Sequence, residues 1–321
     1  MGAVEGGVSV VITAFRRERL LVECIRSVLE SRYRPIEIIV TDDDFSPASR
    51  AAVASIDLPP GVMLRHVRGP QSLSYSRNVH SGIKACSYEL LVLLHDDNRF
   101  AGGGLDALLS GWGAYDGNVD AVFGQQYILT DAGQLDQRAT DWSNRYYQKS
   151  APPGPQPSAM WSALTGQLPY DGMMIRRSIA LTAGYPLATD VGTKPVDFHF
   201  GVRYADISTR PFVLLPDYVS CCRRSTESLS TRTRVYDGHL GFEAIKNVQP
   251  RTPLEVEAKR AALDRFAAAA VMGYLSSGRH REAALTLKAH LTRLDKPWAI
   301  RLALVGLVAA ARLRTGRLPA P

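Results

Sequence analysis

The sequence predicts an α/β protein: a doubly wound, mostly parallel sheet followed by a helical extension at the carboxyl end. Over the first hundred residues, short apolar runs rich in Val and Ile alternate with stretches whose apolar residues recur at helical spacing. Such runs are typical of strands buried on both faces of a sheet, and the spacing between them is typical of amphipathic helices. Alternating strands and helices favour a parallel sheet with crossover helices.

Four strands and three helices are predicted before residue 100. The strands are expected at 8–13, 36–41, 63–67 and 89–95, and the helices between them at 19–31, 46–56 and 74–85. The first helix illustrates the pattern, because Leu21, Cys24 and Val28 fall on one face. Ser46 and Pro47 favour the start of the second helix, since serine caps helices and proline suits a first turn.

The remainder of the chain is predicted to be less regular before it becomes helical. Strands are expected at 119–129, 172–175 and 212–215, and helices at 177–183 and 197–205. Four prolines within 148–158 predict an extended loop there. Helices predicted at 254–276 and 279–294 are separated by Gly278, which favours an αα-hairpin.

Composition excludes several classes of protein. The chain has 321 residues, of which 45% are hydrophobic and 21% charged, and this ordinary globular composition excludes global disorder. The net charge is +7, but no basic stripe or reader motif accompanies it, so no nucleic-acid partner is expected. The four cysteines have the spacing of neither a disulfide framework nor a zinc site. The amino terminus has no signal-peptide pattern, so a cytoplasmic location is expected.

Polar clusters stand at the carboxyl ends of three predicted strands, where doubly wound sheets bind ligands. They are Thr13-Ala-Phe-Arg-Arg17, Asp42-Asp-Asp44 and His95-Asp-Asp-Asn98. Each acidic cluster alone would suit a turn or a helix cap, since Asp and Asn favour both. Two acidic clusters at one edge would repel each other unless they share a cation, so together they favour a binding site.

Seven motifs occur in an order and spacing that point to one family. They are Thr13 and Phe15 with Ser27-Val28-Leu29, the run from Glu37 to Asp43, Arg77-Asn78 with Gly82, the run from Leu93 to Asn98, Gly172 to Arg177 with Ala183-Gly184-Tyr185, Val196-Asp197-Phe198 with Arg203, and Arg223 with Ser228-Leu229-Ser230. In this order they resemble the landmarks of the inverting family 2 glycosyltransferases, which have the nucleotide-sugar-binding fold called GT-A. The resemblance covers roughly residues 8–230. It implies a nucleotide-sugar-binding half at 1–118, an acceptor-binding half at 119–235 and a helical region at 236–321.

The resemblance implies a site for a nucleotide-diphosphate sugar, with UDP- or dTDP-sugars favoured. Asp97 would touch a Mn²⁺ or Mg²⁺ ion, Asp96 would hold the ribose or a metal-bound water, and Asp43 would accept a hydrogen bond from the base. Such cations bind carboxylates and phosphate oxygens and neutralise charge on the leaving diphosphate. His95, which ends an apolar run, is expected to pack rather than to ligate. The remaining donor-binding candidates are Thr13, Phe15, Arg17 and Arg77.

Asp197 is the candidate general base. Inverting transfer is a single displacement through an oxocarbenium-like state, so the attacking hydroxyl must lose its proton to a group within hydrogen-bond reach. A helix N-cap is the other interpretation of Asp197, because a helical run follows it. Asp171 and Asp190 are the next candidates for the base. Asp171, Gly172 and Met173 are the acceptor-side candidates.

Two departures from the family pattern bear on activity. Val196 stands where the family often has glutamate, and Ser225 stands where a histidine often completes the metal shell. An inactive sugar-nucleotide-binding relative is therefore one alternative. A nucleotidyltransferase is another, although no glycine-rich signature follows the first strand. The Gln-x-x-Arg-Trp motif of processive synthases does not occur, so one sugar per turnover is expected.

The expected acceptor is a hydroxyl of a lipid-linked glycan or of a small molecule. The carboxyl-terminal segment 297–317 helps to distinguish them, because binding to the membrane would suit an acceptor carried on a lipid. Its apolar core at 302–311 is shorter than the roughly 20 residues that a bilayer span needs. Flanking cations are Arg301, Arg312, Arg314 and Arg317. Two interpretations stay open: an interfacial helix on the inner face of the membrane, and a helix packed on the domain or in a homodimer.

Overall fold

The described residues form a nine-stranded mixed sheet flanked by helices. This confirms the predicted α/β fold with its mostly parallel sheet and carboxyl-terminal helices. The computed structural model describes residues 6–43, 47–68, 74–185, 196–224, 238–291 and 306. Contacts divide the chain into two compact units, one of residues 1–185 and 200–226 and one of residues 186–199 and 227–321. The predicted boundaries after residues 118 and 235 stay predictions.

Strands and helices alternate along most of the described chain. The strands are β1 (Val8–Ala14), β2 (Ile36–Asp42), β3 (Val62–Arg68), β4 (Leu90–His95), β5 (Arg99–Phe100), β6 (Ala121–Leu129), β7 (Gly154–Pro155), β8 (Met174–Arg176) and β9 (Phe212–Arg223). The helices are α1 (Glu18–Leu29), α2 (Pro47–Ala54), α3 (Tyr75–Ala85), α4 (Gly104–Gly113), α5 (Gln137–Tyr146), α6 (Ala159–Thr165), α7 (Arg177–Ala183), α8 (Val196–Ile207), α9 (Gly238–Asn247), α10 (Pro253–Ser276) and α11 (His280–His290).

The strand directions bring many strand ends to one edge of the sheet. The order is β3-β2-β1-β4-β8-β6-β9-β5, with β7 paired to β9. Strands β1 to β4 are parallel, β8 is antiparallel to both β4 and β6, and β9 is parallel to β6. The carboxyl ends of β1, β2, β4, β6 and β9 therefore lie beside the amino end of β8. We call this the ligand edge, because doubly wound sheets bind ligands there.

Burial of both sheet faces explains the apolar runs that predicted the central strands. Every residue of β1 and β2 is buried. One core cluster joins Val10 and Ile12 of β1 to Leu21 and Ile25 of α1. Because helices cover both faces, the strands read as continuous hydrophobic runs rather than as an alternation of apolar and polar residues.

Helix α3 is held tightly against the sheet by two of its residues. The Asn78 side-chain amide donates a hydrogen bond to the Thr41 carbonyl over 3.1 Å. Gly82 allows a close approach, because a Cβ there would lie 2.5 Å from Val11 Cγ1 and 2.9 Å from Thr41 Cγ2. Arg77, which precedes Asn78 in the first turn of the helix, lies on its exposed face.

Several elements had no counterpart in the predictions: α4, α5, α6, α9, β5 and β7. The predicted loop at 148–158 contains β7, which pairs with β9. Strand β9 runs past its predicted end at residue 215 to Arg223. Its pairing with β6 has register shifts on either side of Gln125, which accommodate the interruption by Pro216 and Asp217.

Helices α9, α10 and α11 belong to the second unit. The Thr252 side chain caps α10 by accepting a hydrogen bond from the Glu255 amide over 3.2 Å. Gly238 allows α9 to approach α10, because a Cβ at Gly238 would lie 2.4 Å from the Ala269 carbonyl oxygen. Helices α10 and α11 pack against each other as the predicted αα-hairpin.

The segment 297–317 lies outside the described residues except for Gly306. Within the part of the chain that the structure describes, no helix is both long enough and apolar enough to cross a membrane. The predicted membrane or dimer role of this segment therefore stays a prediction.

Candidate active site

The ends of β1 and β4 are tied together at the ligand edge. Thr13 of β1 is in register with Thr41 of β2 and with His95 of β4. The Phe15 amide donates a hydrogen bond to Asp96 Oδ2 over 2.8 Å, and the Asp96 amide donates to the Thr13 carbonyl over 3.0 Å. The parallel pairing thus brings together two polar clusters that are about 80 residues apart in sequence.

Asp96 and Asp97, which we call the carboxylate pair, share one guanidinium group. Arg17 Nη1 lies 2.6 Å from Asp97 Oδ2 and 3.3 Å from Asp96 Oδ1. The side chains of the pair are only 4% and 9% exposed, whereas that of Arg17 is 26% exposed. Two adjacent carboxylates with so little access to water need a cation beside them. Arg17 supplies that cation in this structure.

The environment of Asp96 makes its charge sensitive to nearby cations. Burial raises the pKa of Asp96 to about 7, because it disfavours the ionised form. The hydrogen bond from the Phe15 amide lowers this pKa, the negative charge of Asp97 raises it, and the positive charge of Arg17 lowers it. A cation bound beside the pair would favour the ionised form of Asp96.

Asp171 anchors the turn that carries the carboxylate pair. It precedes β8, whose amino end lies at the ligand edge. Its Oδ1 accepts a hydrogen bond from the His95 amide over 2.7 Å, and its Oδ2 accepts one from Asn98 Nδ2 over 2.7 Å. The other acceptor-side candidates, Gly172 and Met173, are also buried, Met173 being 2% exposed. An acceptor-side role for these three residues stays a prediction.

The imidazole of His95 is held at both nitrogens. Its Nδ1 lies 3.1 Å from Asp171 Oδ2, and its Nε2 lies 2.8 Å from the Tyr75 hydroxyl oxygen. The rings of His95 and Tyr170 stack with their centroids 4.0 Å apart. These contacts agree with the expectation that His95 packs rather than ligates a metal.

Arg223 supports the same turn from the end of β9. Its amide donates to Asn98 Oδ1 over 2.7 Å, and its Nε donates to the Asp97 carbonyl over 3.2 Å. Its Nη2 pairs with Glu23 over 3.1 Å. Arg223 therefore holds the main chain of the turn, whereas Arg17 holds the carboxylates.

Lys149 is a second buried cation in this region. Its ammonium donates to Gln126 Oε1. Gln126 Nε2 in turn donates to the Asp171 carbonyl over 2.9 Å and to Ser220 Oγ over 3.0 Å. Burial lowers the pKa of Lys149 to about 8, while the negative charge of Asp171 acts in the opposite direction. The acidic turn thus has a buried basic neighbour.

The remaining donor-binding candidates lie along the ligand edge. The Asp43 amide donates to the Ala14 carbonyl over 3.1 Å, which places Asp43 beside the end of β1. Phe15 is 49% exposed and Arg77 is exposed, so both can meet a ligand from solvent. Thr13 is buried, and its hydroxyl donates to the Leu94 carbonyl over 3.4 Å.

Asp197 lies in the first turn of α8 and is exposed. It belongs to the second unit, whereas the carboxylate pair belongs to the first. Asp197 is the second residue of the helix, so it does not occupy the N-cap position of the alternative interpretation, although an acidic residue in a first turn complements the helix dipole. Its role as general base stays a prediction. Asp190 and Ser225 lie outside the described residues.

The carboxylate pair fits a hard divalent cation that is shared with a diphosphate. Carboxylate oxygens are the protein ligands that Mg²⁺ and Mn²⁺ prefer. In the described ranges, no group of three or more His, Cys, Asp or Glu side chains could hold a metal ion. Phosphate oxygens and water would therefore have to complete the coordination, which is the usual arrangement for Mg²⁺ at phosphate sites.

A doubly wound sheet with a carboxylate pair at its ligand edge suits a nucleotide-dependent transferase, the class to which the GT-A glycosyltransferases belong. The chain belongs to glycosyl transferase family 2, whose sequence profile matches residues 9–180. The predicted family is thereby confirmed, and the protein is a glycosyltransferase.

The chain is similar to two relatives and to two solved structures. It is 28% identical over 230 residues to the uncharacterized protein MT1568 of Mycobacterium tuberculosis, covering 70% of this chain and 69% of that protein. It is 26% identical over 101 residues to a GalNAc(5)-diNAcBac-PP-undecaprenol β-1,3-glucosyltransferase of Campylobacter jejuni, covering 32% of this chain and 33% of that protein.

Two solved structures have folds similar to that of this chain. TarS 1–349 from S. aureus in complex with UDP-GlcNAc has a TM-score of 0.66 at 10% identity, covering 98% of this chain and 93% of that chain. The mannosyltransferase PcManGT from Pyrobaculum calidifontis in complex with GDP-Man and Mn²⁺ has a TM-score of 0.57 at 18% identity, covering 95% of this chain and 80% of that chain. At these identities the likeness shows the fold alone.

The residues that support the turn of the carboxylate pair were not identified from the sequence. Asn98 and Arg223 were parts of motifs without a role, and Lys149 carried no signal within its proline-rich loop. An arginine that ends a long apolar strand is one available signal, because such a cation must find acceptors nearby. Lys149 offers no comparable pattern in a single sequence.

Proposed function

We propose that this glycosyltransferase moves one sugar from a nucleotide-diphosphate sugar to a hydroxyl acceptor, with inversion at the anomeric carbon and with a divalent cation. UDP- and dTDP-sugars are the favoured donors. The observation that carries the proposal is the nearly buried carboxylate pair at the ligand edge, with Arg17 beside it. Negative side chains and a cationic partner at this position suit a metal-bound diphosphate.

The residues at the ligand edge would divide the binding of the donor. Bound Mn²⁺ or Mg²⁺ supplies positive charge that stabilises the departing diphosphate. Asp97 would hold the cation, and Asp96 would hold the ribose or a cation-bound water. Arg17 and Arg77 would pair with phosphate oxygens, for which the planar guanidinium is well suited. Asp43 would accept a hydrogen bond from the base.

Asp197 is the proposed general base. Its carboxylate would take the proton of the acceptor hydroxyl as the new glycosidic bond forms. Asp171 is less suitable, because both of its carboxylate oxygens already accept hydrogen bonds, from His95 and Asn98.

The metal and donor assignment is tested by calorimetric titration with UDP in the presence of Mn²⁺. Asp97→Ala is expected to lose at least tenfold in affinity, and Asp96→Ala less, because Asp97 would touch the cation. Asp57→Ala removes an exposed carboxylate from the connection between α2 and β3 and is the matched control. Unchanged affinity in Asp97→Ala would contradict the assignment.

The base assignment is tested once an acceptor is known. Asp197→Asn is expected to bind UDP with wild-type affinity and to lose about 10²–10⁴-fold in transfer rate, the usual contribution of a general base. Normal turnover in this variant would move the role to another residue.

The acceptor is proposed to be a lipid-linked glycan or a small molecule, on the cytoplasmic side of the membrane. The name of the Campylobacter jejuni relative includes an undecaprenol-linked glycan. Each cation near an anionic membrane contributes about 1 kcal/mol to binding. Salt-sensitive sedimentation with anionic vesicles, lost on deletion of residues 297–321, is expected if the segment is interfacial. Protein that stays in the supernatant would indicate a packing or homodimer helix and a soluble acceptor.

A further inference from the structure

The Arg17 guanidinium lies against the carboxylate that is proposed to hold the metal ion. Its Nη1 is 2.6 Å from Asp97 Oδ2, the carboxylate proposed to touch the cation. The same nitrogen reaches Asp96 over 3.3 Å. Oxygen ligands approach Mg²⁺ at about 2.1 Å. A divalent cation on the pair would therefore lie within a few ångströms of the guanidinium, and the like charges would repel each other.

The loop that carries Arg17 is held by main-chain contacts that do not involve the Arg17 side chain. The loop main chain is fixed separately, by the hydrogen bond from the Phe15 amide to Asp96 Oδ2 over 2.8 Å. Arg17 itself immediately precedes α1 and makes no side-chain cap of that helix. At 26% exposure, its side chain is the most accessible of the three charged groups.

A diphosphate would offer the guanidinium a new partner. Arginine pairs with phosphate oxygens at least as well as with carboxylates, often through two parallel hydrogen bonds. When Arg17 turns to the diphosphate, the carboxylate pair loses its counter-ion and gains room for a metal ion. Without the diphosphate, the metal ion must displace Arg17 with no compensating contact.

We propose that Arg17 is an exchangeable counter-ion, paired with Asp96 and Asp97 in the donor-free enzyme and with the diphosphate in the donor complex. Divalent cations then bind tightly only together with the nucleoside diphosphate. This inference rests on the proposed function, because it assumes a metal-bound diphosphate donor. By reciprocity, the metal ion and the nucleotide raise each other's affinity by the same factor.

The test measures Mn²⁺ binding directly, from the electron paramagnetic resonance signal of the free ion, with and without UDP and with no turnover. Wild-type protein is expected to bind Mn²⁺ at least tenfold more tightly with saturating UDP than without it. Arg17→Met, which keeps the aliphatic stem, is expected to bind Mn²⁺ at least tenfold more tightly than wild type without UDP. Adding Asp97→Asn to Arg17→Met should remove that gain.

Arg16→Met is the matched control, because it removes a guanidinium from the same loop. Arg16 lies over the Phe15 ring, and this variant should keep the wild-type Mn²⁺ affinity within twofold.

Equal or weaker Mn²⁺ binding in Arg17→Met would overturn the proposal, as would a wild-type affinity that UDP leaves unchanged. Because UDP phosphate oxygens would also ligate Mn²⁺, the proposal further requires that UDP tighten Mn²⁺ binding more in wild type than in Arg17→Met; Arg17→Gln takes the place of Arg17→Met if that variant fails to fold. Failure of the wild-type protein to bind Mn²⁺ with UDP present would instead refute the metal-dependent donor site itself, and the counter-ion proposal with it.

Discussion

The hydrogen bond between Asp171 and Asn98 can be tested by exchanging its two partners. Asn98 cannot reverse its amide, because its Oδ1 accepts from the Arg223 amide over 2.7 Å while its Nδ2 donates to Asp171 over 2.7 Å. In Asp171→Asn, one orientation of the new side-chain amide places its NH₂ group against the NH₂ group of Asn98. The other orientation places that NH₂ group against the backbone N–H of His95. Losing a charge-assisted hydrogen bond and leaving a buried donor unsatisfied together cost about 3 kcal/mol of unfolding free energy.

The exchanged pair should recover much of that loss. In the double variant Asp171→Asn with Asn98→Asp, the new carboxylate can accept from both the new amide and the Arg223 amide. We expect it to be at least about 1.5 kcal/mol more stable than the sum of the single changes predicts, a coupling within the range of contacting residues. Urea denaturation followed by circular dichroism gives the four free energies. Asp141→Asn, on the exposed face of α5, is the control and should stay within about 0.5 kcal/mol of wild type. Additive single effects would refute the anchoring role of Asp171.

Two further predictions concern buried groups outside the carboxylate pair. The pKa of Lys149 in the folded protein, about 8, lies below the ordinary lysine value near 10.4. Between these two pH values the unfolded chain therefore binds more protons than the folded protein. The wild-type protein consequently gains stability as pH rises through this range. The unfolding free energy of wild type minus that of Lys149→Met should therefore rise by about 3 kcal/mol from pH 7 to pH 10.5. Cys222 and Asp171, which face Lys149, are present in both proteins, so their own titration is common to both. A difference that does not change with pH would contradict a buried ammonium. Gly82→Ala should destabilise the protein by about 1–3 kcal/mol in thermal or urea unfolding, because the new Cβ would collide with Val11. Gly102→Ala is the control and should be close to neutral, because a Cβ there meets nothing within 4 Å. Equal effects of the two changes would show that α3 does not need its close approach to the sheet.

The sheet was predictable because burial leaves a direct trace in sequence. Strands β1, β2 and β4 lie within the core, so each reads as an apolar run, and each predicted start lies within one residue of the observed one. The amphipathic α1 was predictable for the same reason, since Leu21 and Ile25 face that core.

Helix α5 shows why other elements were not predictable. Its buried face is polar: Asn144 donates to the Gln126 carbonyl and accepts from the Gln126 amide, and the Thr140 hydroxyl accepts from the Ile128 amide. These side chains satisfy backbone groups of β6 directly. A helix that packs through hydrogen bonds carries no apolar stripe, so hydrophobic periodicity cannot reveal it.

The same distinction applies to the candidate site, where some contacts follow from the parallel strands and others depend on segments far apart in sequence. The polar strand ends of β1 and β4 were placed together in advance, because parallel strands must end at one edge. The anchoring of the turn by Asp171 was not, because it depends on an antiparallel strand that inserts between β4 and β6 far along the chain. The pairing of Arg17 with Asp96 and Asp97 likewise requires side-chain geometry that spacing alone does not contain.

The most direct measurement is the release of nucleoside diphosphate from a panel of UDP-, dTDP- and GDP-sugars by the purified protein with Mn²⁺. The account predicts slow release from at least one UDP- or dTDP-sugar, abolished by a chelator and by Asp97→Ala. Release that neither the chelator nor Asp97→Ala affects would contradict the role of the carboxylate pair. Wild-type protein that binds UDP with Mn²⁺ but releases nucleotide from no donor, even with candidate acceptors present, would contradict the proposed transfer reaction.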